Sequence, residues 1–379
     1  MRPIPAWQMM IGRPSWTFRA AALDLDFARN RACLKGRPRA LSGLLSTTRA
    51  STAYADNAAG VWSAFSSGVP RITDKGLLVE EPRTTLVPKA RRLDDGAVWT
   101  LSSVTASAVA GIDGVLGSAT RLTATGSNGT ITSPTTSLAS AARRLAPFIR
   151  RVAGTGNIDL SLDNGSSYTT LVGVTSSWQR LGIGQTLANP QIKIRIASSG
   201  DAIDIDFAAG ETGSFDTSPI ESISAAATRA ADAITINNFA SWFNQSAGTM
   251  FADGSALSTA VSTTTVFQVD DGGFNNRSLI GIDGAGDNAV GATITGGVQQ
   301  SSLAGLSTTN TKVAMAYAAN DVALVVNGGT PSTDASVSLP TVSTARIGNN
   351  SLAYWAGYLR RIAYFPTRLP NAQLQALTQ

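Results

Sequence analysis

The most regular pattern of apolar and polar residues lies between residues 93 and 222. Side chains alternate between apolar and polar in four segments: Ala119–Thr125, Asn157–Leu162, Gln191–Ile196 and Ala202–Phe207. Because alternate side chains of a β-strand point to opposite faces, each segment predicts a strand with one buried and one solvated face. Asp163-Asn164-Gly165 is typical of a hairpin turn. The pattern therefore predicts an antiparallel β-sandwich.

Residues 223–379 show the same alternation in shorter segments. Asn327-Gly328-Gly329 is a strong turn signal among them. This region therefore predicts a second antiparallel β-sandwich. Its predicted strands are Ala233–Ile236, Thr265–Val269, Ser278–Ile282, Lys312–Tyr317, Val322–Asn327, Ala345–Gly348 and Ala356–Phe365.

Helices are predicted at only two places. Ala139–Arg144 favours a brief helix, which Pro147 limits. Leu369–Leu377 favours a short C-terminal helix that Pro370 opens, with leucines spaced to form one buried stripe. The fold class is accordingly mainly β.

The first 92 residues follow neither pattern. Trp7, Trp16 and Phe18 lie among prolines and glycines, without the period of a strand or a helix. Aromatic side chains on so irregular an arm have no core of their own, so they bury against another chain or against the following domain. The first interpretation makes this arm a docking segment, with Arg29 and Arg31 as interface anchors. The second is packing within the chain.

Charge is distributed unevenly along the chain. Residues 1–92 hold 15 Lys and Arg against 6 Asp and Glu, whereas the remainder holds 15 against 19. A basic leading segment can contact nucleic acid. No stacking aromatics interleave with these arginines, so protein contact or solvation explains them better.

Composition excludes several kinds of chemistry. The chain has no histidine and one cysteine, Cys33. Histidine-activated nucleophiles, histidine metal ligands, intrachain disulfides and cysteine-rich zinc sites are therefore ruled out, and no cofactor is expected. The start lacks the apolar core of a signal peptide, and no apolar run approaches the length of a membrane span. We expect a chain made in the cytoplasm that does not insert into a membrane.

One stretch resembles a segment found in many structural proteins of tailed bacteriophages. Thr48–Tyr54, Val69–Ile72 and Gly76–Thr84 match a pattern in which a TRAS-x-A piece precedes PR, then GLL-x-E, then R-T-N-L. Thr85 stands where that pattern has Asn. The resemblance implies a virion protein of the tail-fibre or head-fibre kind, assembled in the host bacterial cytoplasm and contacting portal, capsid or tail subunits.

Two further stretches resemble β-sandwich modules. Pro147–Arg151, Trp178–Arg180 and Gly200–Ile203 are similar to carbohydrate-binding-module-like jelly rolls of the same phage proteins. Val322–Gly328 and Ala356–Pro366 are similar to the end of a laminin-G or concanavalin-A-like domain. Such sandwiches host lectins, glycanases and inert spacers alike, so the resemblance implies fold more than function.

Glycan binding usually needs an exposed aromatic ring with polar groups around it. Tyr168 follows the Asn-Gly turn, which favours exposure. A second group lies in the C-terminal region, where loops of concanavalin-like folds form the ligand surface. Trp99 and Trp178 are better explained as core residues. The glycan-binding candidates are Tyr168, Trp242, Asn349, Asn350, Tyr354 and Trp355.

Acidic residues do not form a catalytic pattern. Four aspartates in a Gly-rich stretch, Asp270, Asp271, Asp283 and Asp287, are weak candidates for calcium, with solvated turns as the alternative. Glutamates are few and none lies in a paired glycosidase motif. Asp201, Asp204 and Asp206 are interpreted as solvated residues on the outer face of one strand. We therefore expect no enzyme activity.

The sequence thus divides into three regions. Residues 1–92 are an irregular virion-attachment region, residues 93–222 a carbohydrate-binding-module-like sandwich, and residues 223–379 a laminin-G or concanavalin-A-like sandwich. The preferred hypothesis is a homo-oligomeric adhesin of the virion that contacts host-surface polysaccharide. The alternatives are a purely structural decoration or joining protein and, less favoured, a polysaccharide depolymerase.

Overall fold

A computed structural model describes residues 18–257, 264–282, 288–350 and 354–379. The described residues form two compact units, each assembled from separate stretches of the chain. Unit 1 takes its residues from Met1–Thr47, Ile72–Val79 and Asp232–Gln379, and unit 2 from Thr48–Arg71 and Glu80–Ala231. None of the described helices is long and apolar enough to cross a lipid bilayer.

Strands predominate in both units. Up to residue 231 they are β1 (Leu23–Asp26), β2 (Arg31–Leu34), β3 (Arg37–Arg39), β4 (Leu45–Thr48), β5 (Ala53–Asp56), β6 (Trp62–Phe65), β7 (Arg71–Thr73), β8 (Gly76–Val79), β9 (Arg83–Thr84), β10 (Thr100–Ser102), β11 (Val104–Val109), β12 (Ala119–Ala124), β13 (Gly129–Thr132), β14 (Ala141–Leu145), β15 (Phe148–Ala153), β16 (Ile158–Ser161), β17 (Thr169–Thr170), β18 (Gln179–Arg180), β19 (Ile183–Leu187), β20 (Lys193–Ile196), β21 (Ala202–Asp206), β22 (Glu211–Thr212) and β23 (Thr228–Arg229).

The remaining strands and the three short helices complete the described structure. The strands are β24 (Ala233–Ile236), β25 (Ala247–Ala256), β26 (Thr264–Asp270), β27 (Arg277–Ile282), β28 (Asn288–Thr295), β29 (Val298–Leu306), β30 (Asn310–Ala318), β31 (Asp321–Val326), β32 (Ser332–Asp334), β33 (Thr344–Ile347) and β34 (Gly357–Phe365). The helices are α1 (Leu41–Leu44), α2 (Phe239–Trp242) and α3 (Asn371–Thr378).

Unit 1 is a sandwich of two large antiparallel sheets. One has the order β3-β2-β1-β34-β25-β30-β31-β32, with β8 also paired to β34 and β7 to β8; the other has the order β29-β28-β27-β26-β33-β24-β4. Met250 and Phe267, one from each sheet, belong to the same buried core. On the outer face of the first sheet, α3 packs Leu374 and Leu377 against Phe251. The predicted C-terminal helix is confirmed.

Unit 2 contains two five-stranded antiparallel sheets, with the orders β10-β13-β20-β16-β17 and β11-β12-β21-β15-β18. Their facing side chains form one core, because each strand turns its alternate apolar residues inward. A three-stranded sheet, β19-β14-β22, and the pairs β5-β6 and β9-β23 complete the unit. The core residues from the two sheets include Ile131, Leu160, Ile194, Leu122, Ile149, Ile203 and Ile205.

The four strands predicted between residues 93 and 222 are confirmed as β12, β16, β20 and β21, but the helix predicted in the same region is wrong. The helix expected over Ala139–Arg144 is strand β14, which pairs with β19 on one side and β22 on the other. Burial alternates along β14 as it does along a strand, because Arg143 and Leu145 are buried while Arg144 between them is half-buried. Pairing within the sheet therefore overrides a weak local helix preference.

Residues 18–92 are built into both units and form no separate region. Strand β1 pairs with β34 and joins the large sheet of unit 1, with Leu23 opposite Tyr364. The β5-β6 hairpin instead belongs to unit 2, where Trp62 packs edge-on against Phe148 with ring centres 5.5 Å apart. These early strands are parts of the two sandwiches, since the sheets need them as partners.

Two charged residues of the stretch that resembles phage proteins, Arg71 and Glu80, belong to a buried ion cluster in unit 2. We define this cluster as Arg71, Glu80, Ser218 and Arg229. Arg71 and Glu80 have no solvent exposure and are joined by a 2.6 Å ion pair. The main-chain nitrogen and hydroxyl of Ser218 each donate to Glu80 at 2.6 Å. Burial alone would raise the pKa of Glu80, but Arg229, Arg71 and Ser218 together lower it to about 2.

Candidate functional site

Three glycan-binding candidates of unit 1 are buried. Trp242 and Trp355 are each 2% exposed, and so is Asn349. Trp242 belongs to α2, not to a strand, and its indole nitrogen donates to the Asn237 carbonyl oxygen at 3.3 Å. Asn349 donates to the Ile347 carbonyl oxygen at 3.0 Å. Since their surfaces are used in packing, these side chains offer no face to a sugar.

Two other candidates of unit 1 keep some exposure. Tyr354 and Asn350 are half-buried, and an isolated bridge joins Asn349 to Tyr354. Residues 351–353 between them lie outside the described residues. These two side chains therefore remain candidates without a described surface around them.

The calcium hypothesis finds little support in the two aspartates that can be placed. Asp270 is fully buried, and Arg346 donates to it from Nε at 2.8 Å. Asp271 accepts hydrogen bonds from Asn276 and from the main chain of Gly273. Asp283 and Asp287 lie outside the described residues. Within the described ranges, no group of three carboxylate or cysteine side chains is arranged to hold a metal ion.

The described docking candidates pack within the chain or carry an ion pair. Phe18 contacts Phe251 with ring centres 5.3 Å apart, and the Arg361 guanidinium lies 3.4 Å over its ring. For Phe18 the packing interpretation is therefore the better one. Arg29 donates to Asp26 at 2.9 Å, and Arg31 is exposed. Trp7 and Trp16 lie outside the described residues.

Phe18 and Arg29 also line one groove of about 480 Å³ in unit 1. Arginines surround this groove, but carboxylates already bind them. Arg360 is paired with Asp253, and Arg361 with Asp24. Each described arginine that lines the groove is therefore already paired with a carboxylate.

Unit 2 presents a continuous polar surface, which we call the polar face. It is the outer side of the sheet β10-β13-β20-β16-β17. Because Ile131, Leu160 and Ile194 point into the core, the residues on either side of them point outward. The strand register aligns these outward residues in two rows. The first row is Ser102, Thr130, Arg195, Asp159 and Thr170, and the second is Thr100, Thr132, Lys193 and Ser161; Tyr168 directly precedes β17 at the edge of the sheet.

One aromatic ring and two cations lie among the hydroxyl groups of the polar face. The Arg195 guanidinium stacks 4.0 Å from the centre of the Tyr168 ring. Asp159 holds Arg195 through Nε at 2.9 Å and accepts a hydrogen bond from the Thr170 hydroxyl at 2.6 Å. Burial raises the pKa of the Tyr168 phenol, although Arg195 opposes this rise. Tyr168 therefore stays neutral and is fixed by its neighbours.

The turn before Tyr168 is held by the carboxylate of Asp163. Asn164 and Gly165 both have positive φ, as the Asn-Gly turn signal predicted. Asp163 accepts bonds from the main-chain nitrogen of Ser167 at 2.9 Å and from the Ser161 hydroxyl at 2.7 Å. Although burial works against ionisation, these hydrogen bonds hold the pKa of Asp163 below its usual range. The loop that carries Tyr168 is therefore ordered before any ligand arrives.

The outer side of the other five-stranded sheet carries arginines that are already paired. Arg121 and Arg150 share the buried carboxylate of Asp204. The Arg150 guanidinium also lies 4.7 Å from the centre of the Trp178 ring, which is half-buried. The expectation that Asp201, Asp204 and Asp206 are solvated is wrong, because all three are buried and paired with arginines; Arg151 binds Asp201 and Arg91 binds Asp206.

Tyr168 is a candidate from the sequence, whereas Lys193 and Arg195, its cationic neighbours in the structure, are not. The alternation in Gln191–Ile196 puts these two residues on the outer side of a strand, but it assigns them no function. A strand pattern gives the face of each residue but not the register between strands. In the sheet, β16 lies between β20 and β17, and Tyr168 directly precedes β17. The Arg195 side chain of β20 therefore reaches the Tyr168 ring across β16.

Comparisons with known proteins give only weak similarities. No protein-family model matches the chain, and no curated protein matches it. The Ruminococcus gnavus IT-sialidase CBM40 bound to α2,3-sialyllactose is similar at 16% identity, over 36% of this chain and 84% of that one, with a TM-score of 0.32. Mouse laminin α1 domains LG4-5 are similar at 10% identity, over 66% and 94%, with a TM-score of 0.24. Truncated AlyQ with CBM32 and alginate lyase domains is similar at 13% identity, over 71% and 97%, with a TM-score of 0.24. These similarities assign no activity to this chain.

Proposed function

We propose that this protein is a non-catalytic glycan-binding protein and that the polar face of unit 2 is its ligand surface. The observation that carries the proposal is the half-buried Tyr168 ring, stacked by Arg195 near threonine hydroxyls on the outer side of a sheet. Sugars bind to such surfaces because an aromatic ring contacts their C–H groups while fixed polar groups bond their hydroxyls. Pairing with Asp159 and the ordered turn prepare both side chains for this contact.

A binding role fits the acids of the polar face better than catalysis does. Glycosidases need a pair of carboxyl groups, one of which is protonated at working pH to act as an acid. Asp159 is buried beneath Arg195, and the pKa of Asp163 is lowered, which is the opposite of what a general acid needs. Release of reducing ends from host polysaccharide would instead support the depolymerase alternative.

The biological setting that we propose is a tailed-phage particle. The protein would be part of a tail or head fibre, in homo-oligomers, with unit 2 displayed toward host polysaccharide. Support for this setting comes from the resemblance over residues 48–84, whose charged residues Arg71 and Glu80 are buried and shape the fold. A decoration or joining protein without a ligand is the alternative. It predicts that other virion subunits cover the polar face in the assembled particle.

Substitution of the ring tests the proposal directly. Tyr168→Ala should weaken binding of host-surface polysaccharide about tenfold, which corresponds to about 1.4 kcal/mol for one lost aromatic contact. Binding of the full chain is measured by biolayer interferometry on immobilised polysaccharide. Retention of full affinity by Tyr168→Ala would remove the polar face as the site.

Phe274→Ala is the matched control. Phe274 is 41% exposed and also lies under an arginine, with Arg277 5.1 Å from the ring centre. It lies in unit 1, far in sequence from the polar face. This variant should bind as the wild type does. An equal loss in both variants would indicate nonspecific stacking on exposed rings.

A further inference from the structure

The two cations of the polar face differ from the paired arginines of unit 2. Arg121 and Arg144 each bind one carboxylate through two nitrogen atoms. Arg195 binds Asp159 through Nε alone. Within the described part of the chain, the terminal nitrogens of Arg195 have no hydrogen-bond acceptor, so their N–H groups are available to a ligand.

Lys193 is a second source of unused positive charge. No carboxylate or hydrogen-bond acceptor among the described residues contacts its ammonium group. It lies two residues before Arg195 on β20, so the two side chains leave the same face of the sheet about 7 Å apart. Asp159 is the only acid in the two rows, and the Asp163 carboxylate beside them is held in the turn before Tyr168 by hydrogen bonds from Ser161 and Ser167.

The position of Lys193 also connects this charge to Tyr168. A Cβ atom placed on Gly165 would lie 2.6 Å from the Tyr168 hydroxyl oxygen and 3.1 Å from Cδ of Lys193. The lysine stem and the phenol thus approach the same glycine. A sugar that contacts the exposed part of the ring is therefore within reach of the ammonium group.

We infer that the ligand of the polar face is an acidic glycan, whose carboxylate is bound by Lys193 and by the unused N–H groups of Arg195. This inference rests on the proposed glycan-binding function and adds the class of sugar. Guanidinium and ammonium donors make their strongest hydrogen bonds to anionic oxygens. A neutral sugar would leave the Lys193 ammonium group without an anionic partner.

The test compares acidic polymers with their neutral derivatives. Polygalacturonate, alginate and polysialic acid are each offered to the full chain beside the carboxyl-reduced form, in which CH₂OH replaces the carboxylate. At least one acidic polymer should bind about tenfold more tightly than its reduced form, the effect of one charge-assisted hydrogen bond. Raising the salt concentration should reduce this preference. Equal affinity for each acidic polymer and its reduced form would overturn the inference while leaving the proposed function intact.

Two variants of equal net charge separate a specific contact from general attraction. Lys193→Met should lower affinity for the acidic polymer about tenfold and leave affinity for the reduced polymer unchanged. Arg121→Met removes one positive charge from the other five-stranded sheet and should leave both affinities unchanged. Equal losses in both variants would overturn the inference. Absence of binding to all six polymers would contradict the proposed function as well.

Discussion

Glu80 should be among the most sensitive positions of unit 2. In Glu80→Gln the side chain keeps its size but loses its charge, and its amide replaces one acceptor oxygen by a donor. Ser218 donates to one oxygen from its main chain, and Arg71 and the Ser218 hydroxyl donate to the other. In either orientation, the amide NH₂ group therefore faces a hydrogen-bond donor of Ser218 or Arg71. Arg71 and Arg229 also lose the buried negative charge that balances them.

The pKa of Glu80 gives the magnitude of this effect. It lies at about 2 in the folded protein, against an ordinary value of 4.5. At about 1.4 kcal/mol for each pKa unit, ionised Glu80 contributes about 3 kcal/mol to the free energy of unfolding. Because the folded-state pKa is the lower one, this contribution is present above pH 4.5 and disappears as the pH falls toward 2. Removal of one partner from a buried ion pair costs about 3–5 kcal/mol, which agrees.

Urea unfolding of wild type and Glu80→Gln between pH 7 and pH 2.5 measures this contribution. The difference in unfolding free energy should be largest at pH 7 and shrink as Glu80 becomes protonated. Taking the difference between the two proteins also removes the effects of Asp206 and Glu211, whose pKa values are raised chiefly by burial. A difference below about 1 kcal/mol at pH 7, or one that does not change with pH, would refute the reasoning.

Glu81→Gln is the control for this experiment. Glu81 follows Glu80 directly and pairs with Arg83 at 2.6 Å, but its side chain is 36% exposed. Water screens this pair, so its loss should cost less than about 1 kcal/mol.

Three further substitutions test the core and the ligand loop. Gly165→Ala places a Cβ atom 2.6 Å from the Tyr168 hydroxyl at a φ of +83°, so it should lower glycan affinity as Tyr168→Ala does, measured by the same binding assay. Leu160→Ala removes a fully buried side chain between the sheets of unit 2 and should cost about 2–5 kcal/mol in urea unfolding. Tyr364→Phe deprives the main-chain nitrogen of Asn244 of its 3.0 Å acceptor and should cost about 1–3 kcal/mol in the same assay.

Local alternation predicts strands and their faces, and the structure confirms this in unit 2. Ile192, Ile194 and Ile196 are all buried, and Lys193 and Arg195 alternate with them on the outer side. A period of two is a local property, so the sequence alone contains it. The identity of partner strands is not local, which is why the pairing of β1 with β34, more than 300 residues later, could not be read from the pattern.

Exposure of aromatic residues was the least predictable part of the candidate site. If the adjacent Trp242 and Phe243 lay on a strand, one of the two side chains would point outward. They instead end a short helix, where Trp242 packs edge-on against Tyr364 and Phe243 stacks on the same ring. An aromatic residue beside polar ones can be either a ligand platform or the edge of a core. Tertiary packing decides between them, and it left Tyr168 outside the core.

The residues behind the phage resemblance and those of the polar face should have separable roles. The ion cluster is buried, so it determines how unit 2 folds and does not contact a ligand. The side chains that would select a sugar, Lys193 and Arg195, lie outside residues 48–84, the stretch to which Arg71 and Glu80 belong. Lys193→Met should therefore keep the unfolding free energy within about 0.5 kcal/mol of wild type and lose affinity for acidic glycan. Glu80→Gln should lower the unfolding free energy and keep the affinity for acidic glycan, when binding is assayed at a temperature well below its unfolding transition. Altered glycan affinity in folded Glu80→Gln would mean that the cluster shapes the ligand surface and that the two roles are one.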